Sequence, residues 1–523
     1  MTTYRYSPSN GIRHCLILGF LLTLFYFLTT WHIGINLADE GYYWYGTQRI
    51  LHGEVPILDF MAYDPGRYYL SAFVMAIVGS EGIWAARLAA YFVLALLVSL
   101  GIYLALLSFH GNRIAQLFYS SIVTLLLIVW TYPYFRAFDF LAGALLIWGI
   151  SIFFRQRTPR GWFFAGLILG AVAVLGRNHG VYGVFGYLVA LVIIYFDRAS
   201  VKPIASSYYF WVVGVIAGYL PIILLSVFVS GFPQAFFESI KFIVDSDTTN
   251  IKLAVPWPWA IDFSKFGASW SIIYFTRGLF FVALVVFPIA GLGYLARAHY
   301  FGRPLITNGT GHSVFLASVC LGLPYAHYAL SRADIEHLAP SMLPMIFGIL
   351  SMPIVHGAKP RLLAGLLLLI SGFIVMVGIQ PALRYVFLQE RLETYTIGPD
   401  KIQIPPDQAA SMRRLDDLVQ AELSKGGSFL ALPNLPTLHA IHRSKMPVWE
   451  IYPLFNRDKP FEEKEIRRLE KMKPSLVILS NHALDKNEAL RYSSMHPVVY
   501  QWLNTHYRKE YLWKDMEIYR LNY

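Results

Sequence analysis
Two adjacent acids, Asp39 and Glu40, stand in Ala38-Asp39-Glu40-Gly41-Tyr42-Tyr43, directly after a long apolar run. A carboxylate so placed can take the proton from a hydroxyl, and a positioned base typically contributes about 10²–10⁴-fold to a rate. The plainer alternative is a helix start, since Asp favours the cap and Glu the first turn. Four arginines fall at comparable ends of apolar runs: Arg67, Arg136, Arg177 and Arg332. A guanidinium binds phosphate oxygens through its planar fork. At a helix end it can equally snorkel to lipid headgroups.

Three further segments gather polar groups. Asp139 follows Arg136 by three residues and begins an apolar run, where an ionisable group is a functional candidate by default. It can also simply pair with Arg136 across one helical turn. Arg332-Ala333-Asp334-Ile335-Glu336-His337 packs four ionisable residues into six positions, which suits phosphate or sugar contact, or a capped turn. Arg177-Asn178-His179-Gly180 breaks another apolar stretch and suits either an anion at helix ends or a tight turn. His327, Asp334 and His337 lack tight ligand spacing, so metal dependence stays open, a divalent cation included.

These residues have to be held by membrane helices. Of 523 residues, 56% are hydrophobic and only 14% charged, against roughly 25% charged in soluble domains. That excludes an ordinary soluble enzyme and a disordered chain. The two cysteines, Cys15 and Cys320, lie in apolar runs and form no disulfide framework. The net charge of +11 forms no basic stripe with interleaved aromatics, so nucleic acid is not the expected partner. Eleven apolar segments reach or approach the ~20 residues a span needs: 12–33, 84–108, 114–135, 137–154, 161–176, 180–196, 209–229, 270–296, 311–330, 338–356 and 362–382.

Alternate short loops carry the cations: Arg5 and Arg13, Arg113, Arg155 with Arg157 and Arg160, Arg198 with Lys202, Arg297 with Arg303, and Lys359 with Arg361. That bias puts the N-terminus in the cytoplasm. With eleven spans, the C-terminal region lies outside. The expected fold class is therefore a polytopic α-helical membrane protein with a C-terminal extracytoplasmic α/β domain. Residues 1–384 form the transmembrane module. Within it, 34–83 is a first outer loop with an amphipathic interfacial stretch at Tyr68–Gly79, and 230–269 is a second long loop with Pro256-Trp257-Pro258-Trp259. Residues 385–523 form the outer domain, with strands at Ser428–Leu432 and Ser475–Leu479 and helices at Lys464–Lys471 and Val498–Lys509.

The order of the first loop resembles that of the GT-C superfamily of integral-membrane glycosyltransferases. It is most similar to the branch with protein O-mannosyltransferases and aminoarabinose lipid A transferases. The shared pattern is the acidic pair, Tyr42, the turn Gly53-Glu54-Val55-Pro56, the step Pro65-Gly66 and the aromatic interfacial stretch. The resemblance implies an enzyme that moves a sugar from a polyprenyl-phosphate carrier to an acceptor at the outer face of a bacterial inner membrane. The acceptor is lipopolysaccharide, another glycolipid or a protein.

Asp39 would be the base of an inverting attack, with Glu40 orienting the acceptor or binding a cation. Arg67, Arg136, Arg177, Arg332 and His337 would serve the donor phosphate. Tyr42, Tyr63, Asp64, Asp139, His179 and Asp334 would contact substrate. Related oligosaccharyltransferases bind a divalent cation near the place of Asp139, whereas the mannosyl and aminoarabinosyl branch generally does without a catalytic metal. Two rivals share much of this pattern: a lipid-linked glycan flippase or other transporter, and a ligase or polymerase of whole lipid-linked oligosaccharides. Transporters favour midplane binding groups on repeated halves. The rim position of the charges and the missing repeat speak for the enzyme.

Overall fold
The computed structural model describes residues 8–197, 204–245, 250–265, 267–307 and 309–522, with only the backbone for 8–10. Of the loop cations, Arg5, Arg198 and Lys202 lie outside the described residues. The first helices are α1 (Pro8–Thr30), α2 (Asp39–Leu51), α3 (Pro65–Val78), α4 (Ile83–Leu106), α5 (Arg113–Trp130) and α6 (Ala137–Arg155). Next come α7 (Pro159–Leu175), α8 (Arg177–Phe196), α9 (Ala205–Gly218), α10 (Leu220–Phe228) and α11 (Phe232–Asp245). Then follow α12 (Ala268–Tyr300), α13 (Thr310–Ser331), α14 (Ile335–Leu350), α15 (Ala358–Met376) and α16 (Pro381–Phe387).

All eleven expected segments are helical. Among the described residues, eight helices are long and apolar enough to cross a membrane. The three others fall short for visible reasons. α7 and α14 have 17 and 16 residues. The segment expected at 209–229 is two helices, α9 and α10, bent by 55°. The bend sits just before Pro221, which has no N–H to continue the α9 ladder.

The chain folds as two compact units: 1–31 with 87–230 and 243–389, and 32–86 with 231–242 and 390–523. The helical unit shows how this sequence brings apolar helices together. Gly166 and Gly170 of α7 face Gly214 and Gly218 of α9, and a Cβ on any of the four would run into the other helix's backbone. This is reciprocal small-xxx-small packing, which lets two backbones touch where hydrophobicity gives no preference between lipid and protein.

The second unit contains the first loop and the tail together. The tail adds the hairpin β1 (Glu393–Ile397) and β2 (Asp400–Ile404), then α17 (Pro406–Leu423), β3 (Phe429–Leu432), α18 (Pro436–Ile441) and α19 (Lys459–Met472). It ends with β4 (Leu476–Ser480), α20 (Tyr492–Met495), α21 (Pro497–His506), β5 (Tyr507–Trp513) and β6 (Met516–Leu521). The larger sheet runs β3-β4-β6-β5, with β3 and β4 parallel and the other pairs antiparallel. Leu415, Val419, Phe429, Leu438, Ile478 and Ile518 form its core.

The helix expected through Lys509 stops at His506, because Tyr507–Trp513 pairs with β6. Strand pairing overrides the local helical pattern there. The stretch expected at the interface is the helix α3, which buries Tyr68 and Met75 and exposes Phe73 and Ile77.

The tail holds α2 along its length. A Cβ on Gly41 would collide with Thr437, whose hydroxyl donates to Leu37 O at 2.7 Å. One turn on, the Tyr45 hydroxyl accepts from Met446 N at 2.9 Å, and then Gln48 Nε2 donates to Ala440 O at 3.0 Å. Positions 41, 45 and 48 lie on one helix face, the face turned to the tail.

Candidate active site
Asp39 is the first residue of α2 and Glu40 the second. The chain before them is locked locally. Asn36 Oδ1 accepts from the backbone N–H groups of Ala38 and Asp39 at 3.0 and 2.9 Å, and Glu40 Oε2 accepts from Asn36 N at 3.1 Å. This reciprocal arrangement works like a capping box, satisfying donors that a helix start leaves open. Glu40 is 3% exposed. Asp39 is half-buried, and its carboxylate makes no hydrogen bond or ion pair among the described residues. The pair thus divides into a structural acid and an available one on the same rigid mount.

The other first-loop residues gather in the same unit. Tyr42 is buried, with Tyr63 edge-on at 4.7 Å and Tyr452 at 5.4 Å, so it forms a floor and not an open stacking face. Tyr63 is 37% exposed, and the Arg67 guanidinium lies over its ring at 4.9 Å. Arg67 and Asp64 are both buried, and Asp64 stands at the N-cap position just before α3. Tyr43 donates to Ser71 Oγ at 2.7 Å, with Arg67 and Glu40 both within electrostatic reach of its hydroxyl. Burial first, and neighbouring phenols second, push Tyr42 and Tyr68 above the ordinary tyrosine range, so both stay neutral donors.

The remaining sequence candidates lie in the helical unit, where most of them join partly buried polar clusters. Asp334 caps α14 by accepting from His337 N at 2.9 Å, and its two oxygens also meet His337 Nδ1 at 2.8 Å and Arg332 Nε at 2.7 Å. Burial opposes its ionisation, but the His337 contacts and Arg136 prevail and hold its carboxyl at about 2. Arg136 meets Glu336 at 3.2 Å. His179, fully buried, faces Asp139 at 3.3 Å and Tyr325 Oη at 3.0 Å. Arg177 opens α8 after a single-residue break at Gly176. The Arg332 turn is therefore a capped turn and a charge cluster at once. Among the described residues, no group of three or more His, Cys, Asp or Glu is arranged to hold a metal ion.

Sequence reading missed one residue of this network. Arg277 lies ten positions into the 33-residue α12, where the surrounding apolar residues hide a single charge from any hydropathy window. Its guanidinium rests over Tyr274 at 4.8 Å, within electrostatic reach of Asp334. Its Nε is buried and makes no hydrogen bond among the described residues. The next residue, Gly278, lets the Pro256–Pro258 backbone pack directly on the helix. Arg332 Nη1 fixes the same loop by donating to Ile251 O at 2.9 Å. An arginine inside an apolar helix was the signal available in the sequence.

No protein-family model matches the chain, and no curated protein matches it. Solved structures do. ArnT from Cupriavidus metallidurans in the apo state is similar over 95% of this chain and 97% of its own, with 11% identity and a TM-score of 0.46. An oligosaccharyltransferase of Archaeoglobus fulgidus, in complex with zinc and sulfate, is similar over 94% of this chain and 71% of its own, with 11% identity and a TM-score of 0.36.

Proposed function
We propose that this chain is a multi-pass membrane glycosyltransferase of the GT-C type, which transfers a sugar from a polyprenyl-phosphate donor to a hydroxyl acceptor at the outer face of a bacterial inner membrane. The observation that carries the reading is the Asp39 carboxylate: half-exposed, without a partner among the described residues, and held by the Asn36–Glu40 lock. Asp39 accepts the acceptor's hydroxyl proton. The freed oxygen attacks the anomeric carbon from the side opposite the phosphate, and the bonding pair of the breaking C–O bond leaves with polyprenyl phosphate. The sugar's configuration is inverted. Tyr63 offers an aromatic edge for a pyranose, and the acceptor is a glycolipid, lipopolysaccharide or protein.

The leaving phosphate needs cations. Arg67, whose guanidinium lies over the Tyr63 ring, is the candidate within the loop. Arg332 and His337 are bound to Asp334, so in this reading they shape the turn that fastens the 250–260 loop.

The test is reconstitution of the full chain in proteoliposomes with a panel of polyprenyl-phosphate monosaccharides and a lipid A-type acceptor. Mass spectrometry would follow donor loss, free polyprenyl phosphate and glycosylated acceptor. Donor consumption by wild type but not by Asp39→Asn, at equal protein level, supports the proposal. Equal turnover by both proteins removes Asp39 as the base. No turnover on any donor removes the donor class.

A further inference from the structure
The second long loop opens with a helix that the transfer chemistry does not use. Residues 229–231 alone separate α10 from α11, and Gly231, at a φ of 84°, makes the turn. At about 100° per residue, the side chains of α11 fall into three stripes. Pro233, Phe237, Ile240 and Val244 form the first; all are exposed, the last three by 63%, 40% and 71%. Beside it run Gln234, Glu238, Lys241 and Asp245, also exposed, with Gln234 Nε2 donating to Glu238 Oε1 at 2.6 Å. Phe232, Phe236, Ser239 and Phe242 complete the circle and are buried or half-buried.

The third stripe is fastened to the tail. The Arg457 guanidinium lies over the Phe242 ring at 3.5 Å and over Phe461, in α19, at 4.3 Å. Glu450, itself buried, accepts from Arg457 Nε at 2.6 Å and fixes the plane of the guanidinium. A cation held over two rings and out of water makes the stronger kind of cation–π contact. Phe455 adds a ring edge 6.3 Å from Phe242.

The first stripe has no such cover. A row of Phe, Ile and Val at i, i+3 and i+7, bordered by an unbroken polar row, is the pattern of a helix lying in a lipid surface. The chain enters α11 from α10, whose nine residues are apolar apart from Ser226. Fourteen residues rise about 21 Å, short of the ~30 Å hydrocarbon core, so α11 does not cross it. A second copy of the chain is a poorer occupant. Two turns fall short of the roughly three to four heptads of a coiled coil, and a few side chains fall short of the ~800 Å² that a stable dimer buries on each partner. The polar row holds two acids and one lysine, so attraction to anionic lipid is not what would keep the helix there.

We infer that α11 lies in the membrane–water interface, with Phe237, Ile240 and Val244 in the acyl boundary and Glu238 and Lys241 among the headgroups, and that Arg457 clamps this helix to the tail. The inference goes beyond the transfer reaction and does not depend on it. It gives the tail a lipid contact of its own, made through a loop helix that the tail holds by one guanidinium.

The experiment is site-directed spin labelling of the full chain in nanodiscs, on a background of Cys15→Ala and Cys320→Ala. Labels are placed one at a time through Phe237→Cys, Ile240→Cys, Glu238→Cys and Lys241→Cys. Power saturation compares collision with oxygen, which concentrates in lipid, against a water-soluble nickel chelate. Labels at 237 and 240 are expected to favour oxygen severalfold and those at 238 and 241 the chelate, equally in phosphatidylcholine discs and in discs with added phosphatidylglycerol. Four labels that all favour the chelate overturn the inference. So do stripe labels shielded from both reagents, which would mean a second chain covers them, and a pattern seen only with phosphatidylglycerol. Should one stripe variant fail to fold, the other reads the same face. For the clamp, Phe242→Leu keeps an apolar side chain but removes the ring, and hydrogen exchange across 232–242 should speed up roughly tenfold. Unchanged exchange overturns the clamp. Neither measurement involves a sugar donor, so an enzyme silent on every donor yet showing this pattern refutes the proposed reaction and leaves the lipid contact standing.

Discussion
The acid-bearing starts of α2 and α14 differ in what their acids have left to offer. At the start of α14, Asp334 is divided among a backbone cap, His337 and Arg332, and Glu336 holds Arg136. At the start of α2, Glu40 does the corresponding structural work by binding Asn36 N, and Asp39 keeps its carboxylate unshared among the described residues. Both segments look equally promising by composition. A base has to combine a fixed position with an unoccupied lone pair, and of these two starts the first-loop helix is the one that provides both.

That contrast is sharpest in matched substitutions. Asp39→Asn is expected to lower kcat by about 10²–10⁴-fold with an unchanged melting temperature, measured by donor turnover and by calorimetry. The loop arginine comes next. Arg67→Ala should raise KM for the lipid donor roughly tenfold to a hundredfold, as loss of a charge-assisted contact worth about 1.5–3 kcal/mol implies. An unchanged KM would remove Arg67 from phosphate binding.

Asp334→Asn is the mirror experiment. It should cost about 1–3 kcal/mol of stability by weakening a buried charged hydrogen-bond set, with kcat lowered less than tenfold. A kcat loss as deep as that of Asp39→Asn would erase the distinction between the two helix starts. Because Asp334 sits at about 2 against an ordinary 3.8, its stabilising share is present above pH 3.8 and is lost only as pH falls through 2. Melting temperature should therefore show no loss from this group between pH 7 and pH 5. The smallest effect belongs to Glu40: Glu40→Gln retains the acceptor for Asn36 N and should be nearly silent. Glu40→Ala should cost about 1 kcal/mol, the usual worth of a lost cap.

Much of this was legible beforehand because it is local. Eleven apolar runs became helices, α3 formed where aromatic and apolar residues recur at helical spacing, and β3 and β4 fell within a residue of their expected bounds. The placing of Asp39 at a helix start followed from residue type alone. What was not legible depends on partners far along the chain. Nothing near Gly41 announces Thr437, and nothing near Tyr507 announces the β6 strand that takes it out of a helix. Arg277 was hidden for a different reason: one of only two arginines among 33 mostly apolar residues, it barely moves an average. The single segment expected at 209–229 passed over Pro221, and the bend between α9 and α10 is what its missing donor produces.

The packing of Gly41 against Thr437 has a temporal side. Leu37 and Thr437 are 400 residues apart, and a ribosome adding roughly 5–20 residues per second needs tens of seconds to make that stretch. The acid-bearing helix leaves the ribosome early but cannot take its final seat until Thr437 to Met446, more than four-fifths of the way along the chain, have been made. During synthesis, its aromatic face must wait for the tail that will cover it.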